Sequence, residues 1–255
     1  MTARPAIVAL AALGVIAASL GAAAAVEPKC AVPPALIEDA SPLPALTKIA
    51  ERALPIRIVA LGSGTTQGMG ASAPAASFPA RLEAALGRRV ISHVNVINVG
   101  VQRQTAGDML ARLERDVLAH RPALVLWETG TVDAVRGVAL DDFTAQLESG
   151  ITRIRQAGAD VMLIDPQYSR AASRVVNILP FVEAMRTFAA AEDLILFDRF
   201  EVMRHWIDNG IFHLDERQAP RLTAGEIDQV YDCIAQLLGE VIVNALPKAA
   251  HTAAK

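Results

Sequence analysis

No long run of basic or acidic residues occurs anywhere in the chain, and its formal net charge is only -3. The electrostatic footprint of a nucleic-acid binder is therefore missing. No internal repeat is visible, and no low-complexity stretch apart from the alanine-rich ends, so one large domain is the default for 255 residues. Aromatic residues make up 4% and charged residues 20%, against 53% hydrophobic, a composition that is apolar without being membrane-like. Beyond the first 25 residues no segment has the length and hydrophobicity of a membrane span.

Those first residues form a separate object. Arg4 supplies a positive start, Ala6 to Leu20 an apolar stretch, and Ala23-Ala24-Ala25 a small-residue cleavage site. Residues 1–25 read as a secretory signal peptide, because the apolar stretch is shorter than the ~20 residues a span needs. The alternative is an uncleaved amino-terminal anchor. Export to the periplasm or the medium is the expectation.

Only two cysteines are present, Cys30 and Cys233. In an exported chain such a pair suggests a disulfide, here joining the amino-terminal arm to the last helix; two unpaired thiols are the alternative. A lipid anchor at Cys30 is disfavoured, since Glu27-Pro28-Lys29 is neither small nor apolar.

Residues 26–54 form a proline-rich arm, extended at first and ending in a short helix over Leu46–Leu54. From 55 to 246 short aliphatic runs alternate with helical spacing. Strands are expected at Ile56–Leu61, Val94–Val99, Ala123–Glu128, Asp160–Ile164 and Leu194–Phe197. Helices are expected at Phe78–Arg88, Gly107–His120, Asp142–Ala157, Ile178–Ala191, Arg199–Ile207 and Thr223–Ala245, with Thr105 and Asp108 as a capping box for the second. This alternation implies right-handed crossovers and a five-stranded parallel sheet in a three-layer α/β/α sandwich. Residues 247–255 read as a disordered tail.

The first strand delivers a turn, Gly62-Ser63-Gly64-Thr65-Thr66-Gln67-Gly68, and in open α/β sheets such carboxyl-end loops bind ligands. The glycine spacing is not that of a dinucleotide fingerprint, no acidic residue closes the second strand, and no Walker lysine is present. No cofactor is expected. Asp133, Asp208, His213 and Asp215 fall near loops at one end of the sheet, yet none shows close-spaced metal-ligand geometry on a helix, so no metal is expected either.

Four loops carry unusual polar residues: Gly62 to Gly68; Asn98-Val99-Gly100-Val101-Gln102-Arg103; Glu128-Thr129-Gly130-Thr131-Val132-Asp133; and Asp208-Asn209-Gly210-Ile211-Phe212-His213. In this order and spacing the set resembles the SGNH, or GDSL-type, hydrolase family, from Pro55 to about Leu238. The resemblance implies a flavodoxin-like fold and esterase-type chemistry. It also places Gly64 at the nucleophilic serine, Arg103 at the oxyanion glycine, Val132 at the oxyanion asparagine and Gly210 at the aspartate of the Asp-x-x-His block, while retaining the histidine as His213.

Two functions follow. One is a ligand-binding module with a decayed catalytic set, for small-molecule, acylated or carbohydrate ligands, with Thr65, Arg103 and Thr131 as binding positions. Arg103 would hold a carboxylate-like group in bidentate fashion, unless it is an ordinary solvated arginine. The other is an esterase using Ser63 or Thr65 as nucleophile, His213 as base and Asp208, through a local bulge, to orient the imidazole. Against Ser63, a shift of one residue along a tight turn redirects the hydroxyl by more than a catalytic constellation tolerates.

Overall fold

The computed structural model describes residues 26–39, 41–213 and 223–252. The expected signal peptide, Asp215 and residues 253–255 lie outside them. Five strands, β1 (Ile56–Leu61), β2 (Val94–Asn98), β3 (Leu124–Glu128), β4 (Asp160–Ile164) and β5 (Ile195–Phe197), form one parallel sheet in the order β2-β1-β3-β4-β5. The helices are α1 (Pro44–Ala50), α2 (Gly64–Gln67), α3 (Phe78–Gly87), α4 (Ala106–Leu110), α5 (Leu113–Asp116), α6 (Thr131–Arg136), α7 (Leu140–Gln156), α8 (Leu179–Ala191), α9 (Arg199–Asp208) and α10 (Ala224–Asn244).

Side chains alternate across the sheet, so each strand feeds two cores. Ile58, Leu124, Leu126, Met162 and Phe197 point to one face and pack against α1, α3, α9 and α10. Val59, Leu61, Val125, Trp127 and Leu163 point to the other, against α4, α5, α7 and α8. Both faces are covered, which is why these strands read as unbroken aliphatic runs rather than alternating ones. The strand order reverses direction between β1 and β3, whose registers match Ile58 to Leu124 and Leu61 to Trp127. A crevice at the carboxyl ends of those two strands is the expected ligand position in such a sheet.

Local chemistry explains several element ends. Thr105 and Asp108 form the anticipated capping box on α4, and Thr223 with Glu226 forms another on α10. Pro44 occupies the first helical position of α1, where its missing N–H is no loss, so that helix starts and stops earlier than Leu46–Leu54. The single helix expected over Gly107–His120 is instead split into α4, α5 and a short 3₁₀ turn. Arg112 leaves helical geometry (φ -114°, ψ 5°) between them. Its buried guanidinium thereby reaches Gln104 Oε1 at 2.6 Å and Asp116.

The arm is fastened rather than draped. Leu43, Leu46 and Ala50 are buried, Leu46 N donates to Asp160 Oδ2 at 2.8 Å, and Cys30 is disulfide-bonded to Cys233 in α10, 203 residues away. Residues 247–252, assigned by sequence to a disordered tail, fold back onto the body. Ile91 N and Thr252 N donate to Ala250 O and Arg89 O, and His251 Nε2 meets Val243 O. Among the described residues no helix is long and apolar enough to cross a membrane.

Candidate functional site

At the end of β1 the chain reverses into α2 over a buried carboxylate. Glu128, the last residue of β3, accepts from Ser63 N at 3.1 Å and Thr66 Oγ1 at 2.8 Å through one oxygen, and from Arg199 Nη2 at 3.1 Å through the other. Burial acts to raise the Glu128 carboxyl, but the Arg199 charge and the Thr66 and Ser63 donors outweigh it and hold the group below the ordinary glutamate range. Arg199 is itself buried and donates through Nε to Asp165 O at 3.0 Å. Gly62 makes this approach possible: a Cβ there would overlap Thr66 Oγ1 and lie 2.8 Å from Glu128 Oε2.

The loop after β2 closes the turn from its other side. Asn98 Nδ2 donates to Thr66 O at 2.7 Å while its Oδ1 accepts from Gly100 N at 2.9 Å. Val101 N donates to Gly62 O, and Gln102 N to Gln67 Oε1 at 3.2 Å. Gly100 lies so close to α2 that a Cβ would overlap the Gln67 amide nitrogen. The third loop is fixed by Asp133, which is fully buried. It accepts from Ala106 N at 2.9 Å, Gly130 N at 3.1 Å and Thr129 Oγ1 at 3.3 Å, tying α6 to the start of α4. Burial raises its carboxyl, and these amide donors partly offset that.

The turn is thus rigidly framed, and at its centre stands Gly64. A Cβ on Gly64 would meet Met69 Cε at 3.2 Å and Met69 Sδ at 3.4 Å. The thioether of Met69 therefore occupies the space next to where a nucleophile's side chain would begin. Tyr231 OH donates to Met69 O at 2.8 Å, holding that segment against α10, and burial pushes the Tyr231 phenol up to about 12. Beside Met69 opens a cleft of about 210 Å³, mostly apolar, bounded by Thr65, Tyr168, Met203, Ile227, Tyr231 and Ile234.

The sequence model of the Non-GDSL lipase-like family matches residues 29–248. The chain belongs to that family. Arylesterase of Vibrio mimicus is 36% identical over 81 residues, 30% of this chain and 40% of that protein. Esterase TesA of Pseudomonas aeruginosa is 34% identical over 88 residues, 31% of this chain and 44% of that protein. The matched stretch spans less than half the length of either curated relative. Among solved structures, the lipase/acylhydrolase from Enterococcus faecalis superposes with a TM-score of 0.60 at 24% identity, over 78% of this chain and 99% of that one. A catalytic mutant of the acetylxylan esterase Axe2 from Geobacillus stearothermophilus gives 0.55 at 18% identity, over 71% and 94%. At these identities the likeness is one of fold, and it agrees with the SGNH-type α/β/α sandwich described above.

For a Non-GDSL lipase-like chain the remaining site residues fall as follows. Ser63 is buried, caps α2 without a side-chain hydrogen bond, and is held by its backbone. Thr65 lines the cleft. Arg103 has a left-handed backbone (φ 62°), the conformation that favours glycine, and its side chain is exposed, with no hydrogen bond or ion pair among the described residues. Thr131 Oγ1 is buried without a partner, and Val132 beside it is half-buried. His213 is exposed and lies within electrostatic reach of Glu226 on the first turn of α10. Asp208 ion-pairs with Arg170 at 2.6 Å, and Gly210 has φ 67°. Among the described residues no group of three or more His, Cys, Asp or Glu is placed to hold a metal ion.

Sequence reasoning missed Arg199, Asp165 and Met69. Arg199 lies 71 positions from Glu128, and no local pattern announces their pairing. Met69 follows Gly68 directly, whose left-handed φ of 97° ends α2 and turns the thioether back; adjacency to the glycine turn was the only signal available.

Proposed function

We propose that this Non-GDSL lipase-like protein is exported, has lost serine-hydrolase chemistry, and works as a ligand-binding module of its compartment. One observation carries the reading: the turn that would present a nucleophile is framed by Gly62, Asn98, Glu128 and Arg199, yet its presenting residue is Gly64, with Met69 packed beside it. Loss of a triad serine costs up to ~10⁶ in turnover, and one lost oxyanion donor about 10²–10³. The apolar amino-terminal stretch and the Cys30–Cys233 disulfide support export. The cleft beside Met69 supports a small ligand with an apolar part.

A second reading rests on Thr65, which borders the cleft, and on the two relatives named as esterases: hydrolysis by Thr65 or Ser63 with His213 as base. Hydrolysis of a short-chain aryl ester by residues 26–255 separates the two, run beside Ser63→Ala, Thr65→Ala, His213→Ala and Gly64→Ser. We expect the unsubstituted protein and the alanine variants to match buffer. The Gly64→Ser variant should fold, since the added Cβ meets only the flexible end of Met69, and should gain weak turnover. Turnover in the unsubstituted protein that His213→Ala and one hydroxyl substitution both abolish would overturn the binding-module reading.

A further inference from the structure

Six methionines occur in the chain, and Met69, Met109, Met162, Met185 and Met203 are among the described residues. The last four are sealed in the core, with at most 7% exposure, and Met109 Sδ also accepts from Trp127 Nε1 at 3.2 Å. Met69 is the exception, 58% exposed to solvent. A thioether that water reaches is one that a peroxide reaches. No thiol competes for the oxidant, because both cysteines are tied in the Cys30–Cys233 bond.

The place of Met69 gives that exposure a consequence. Its backbone is held on both sides: Met69 N donates to Gly64 O at 2.8 Å, and Met69 O accepts from Tyr231 OH at 2.8 Å. The flanking Gly68 and Gly70 fix the turn with left-handed φ values of 97° and 84°. The side chain forms part of the mostly apolar wall of the cleft, together with Met203, Ile227 and Ile234. A Cβ on Gly64 would lie 3.4 Å from Met69 Sδ, so the lack of a side chain at Gly64 uncovers the sulfur on that side. An oxygen added to this sulfur stays at the cleft, because the backbone that carries it is clamped.

Building on the binding-module reading, we infer that Met69 is a site of oxidative modification, where conversion of the thioether to the sulfoxide by hydrogen peroxide turns off binding in the cleft. The sulfur lone pair attacks one peroxide oxygen, the O–O bond breaks and the S–O bond forms. The proton of the transferred oxygen passes to the departing hydroxide, which leaves as water. Sulfur gives up one electron pair, and the peroxide receives it. A polar, hydrogen-bond-accepting side chain then stands where an apolar one stood. A ligand with an apolar part would have to strip water from the S–O dipole without supplying a donor in return. Sulfoxide reductases reverse the change, which makes it a switch rather than damage.

Methionine-methyl NMR on residues 26–255 tests this during exposure to hydrogen peroxide, with toluene as an apolar probe followed at Met69 and Met203, which share the cleft wall. The unsubstituted protein and Met69→Leu are compared, with Tm measured on each. The Met69 methyl should convert to its sulfoxide at least about tenfold faster than those of Met109, Met162, Met185 and Met203, which react only when the fold opens. With Met69 alone oxidised, toluene should bind about tenfold more weakly, and treatment with methionine sulfoxide reductases should restore it. Met69→Leu keeps the volume and the apolar surface, so its toluene binding should survive peroxide unchanged. Oxidation of Met69 no faster than that of the buried four overturns the inference, as does toluene binding that is absent before oxidation or equal after it. Aryl-ester turnover by the unoxidised protein is a separate readout: hydrolysis together with Met69-dependent loss of toluene would sink the binding-module reading and leave the oxidation switch standing.

Discussion

Glu128 sits against Gly62 in the turn after β1, and its three partners make that turn a single mechanical unit: Ser63 N, Thr66 Oγ1 and Arg199 Nη2 all converge on one carboxylate with almost no exposure to water. Removing one member of a buried, hydrogen-bonded ion pair leaves the other charge uncompensated. Glu128→Ala should therefore cost about 3–5 kcal/mol, seen as a lower urea midpoint with little change in slope. A loss below about 1 kcal/mol would mean that Arg199 finds another partner. The same carboxyl has a folded-state pKa below its unfolded value of 4.5, so its contribution is present above about pH 4.5 and disappears as pH falls through the lower folded value. At this scale the sequence was half legible. The glycines, Asn98 and the departures at Gly64, Arg103 and Val132 could be read from the loop strings, whereas Glu128 was visible only as a strand end and its 71-residue partnership with Arg199 not at all.

Helix α9 docks on β4 through a buried carboxyl whose surroundings favour its protonated form. Asp165, at the end of β4, is fully buried; its Oδ1 accepts from Phe200 N at 2.9 Å, while its Oδ2 has no donor and is faced by Asp198. Asp198 is held by Arg186 at 2.8 Å from α8, and Arg199 neighbours both acids. Burial first, and the Asp198 charge second, push Asp165 well above the ordinary aspartate range. A raised folded-state pKa gives stability that is complete below the unfolded value of 3.8 and is lost as pH rises through the folded value. Asp165→Asn keeps the acceptor for Phe200 N and supplies a permanent donor toward Asp198. Its urea midpoint should therefore gain on that of the unsubstituted protein between pH 5 and pH 8. A constant difference across that interval would show that Asp165 is ionised throughout. Among helices, the long ones were legible and the shortest were not. α7 and α10, with 17 and 21 residues, were located to within two residues at each end. α2 and α6, with 4 and 6, are too short to show helical periodicity and went unseen, although both open at the site.

Across the whole molecule, the arm, the sheet and the last helix are joined by the Cys30–Cys233 bond over a separation of 203 residues. Chain-entropy arguments give a loop of that length about 5 kcal/mol of stabilisation, so reduction with dithiothreitol should lower Tm by about 10–20 °C. An unchanged Tm would mean that the contacts of Leu43, Leu46 and Ala50 already hold the arm without it. The layered architecture was the most legible feature of all, because strand and helix periods differ and crossovers in a parallel sheet are almost always right-handed. What could not be read was how residues 247–252 are fastened, since they are fixed by backbone bonds to Arg89 and Ile91 that leave no mark in composition. The long bond also sets a timetable. A ribosome makes Cys30 203 residues before its partner Cys233, so the first thiol waits alone through all of that synthesis. With no third cysteine among these 255 residues, it has no wrong partner there; its hazards are neighbouring copies and small thiols. Closing the Cys30–Cys233 bond is thus a single event that must wait for Cys233, and its yield should fall with crowding of nascent chains rather than with scrambling of pairs among these residues.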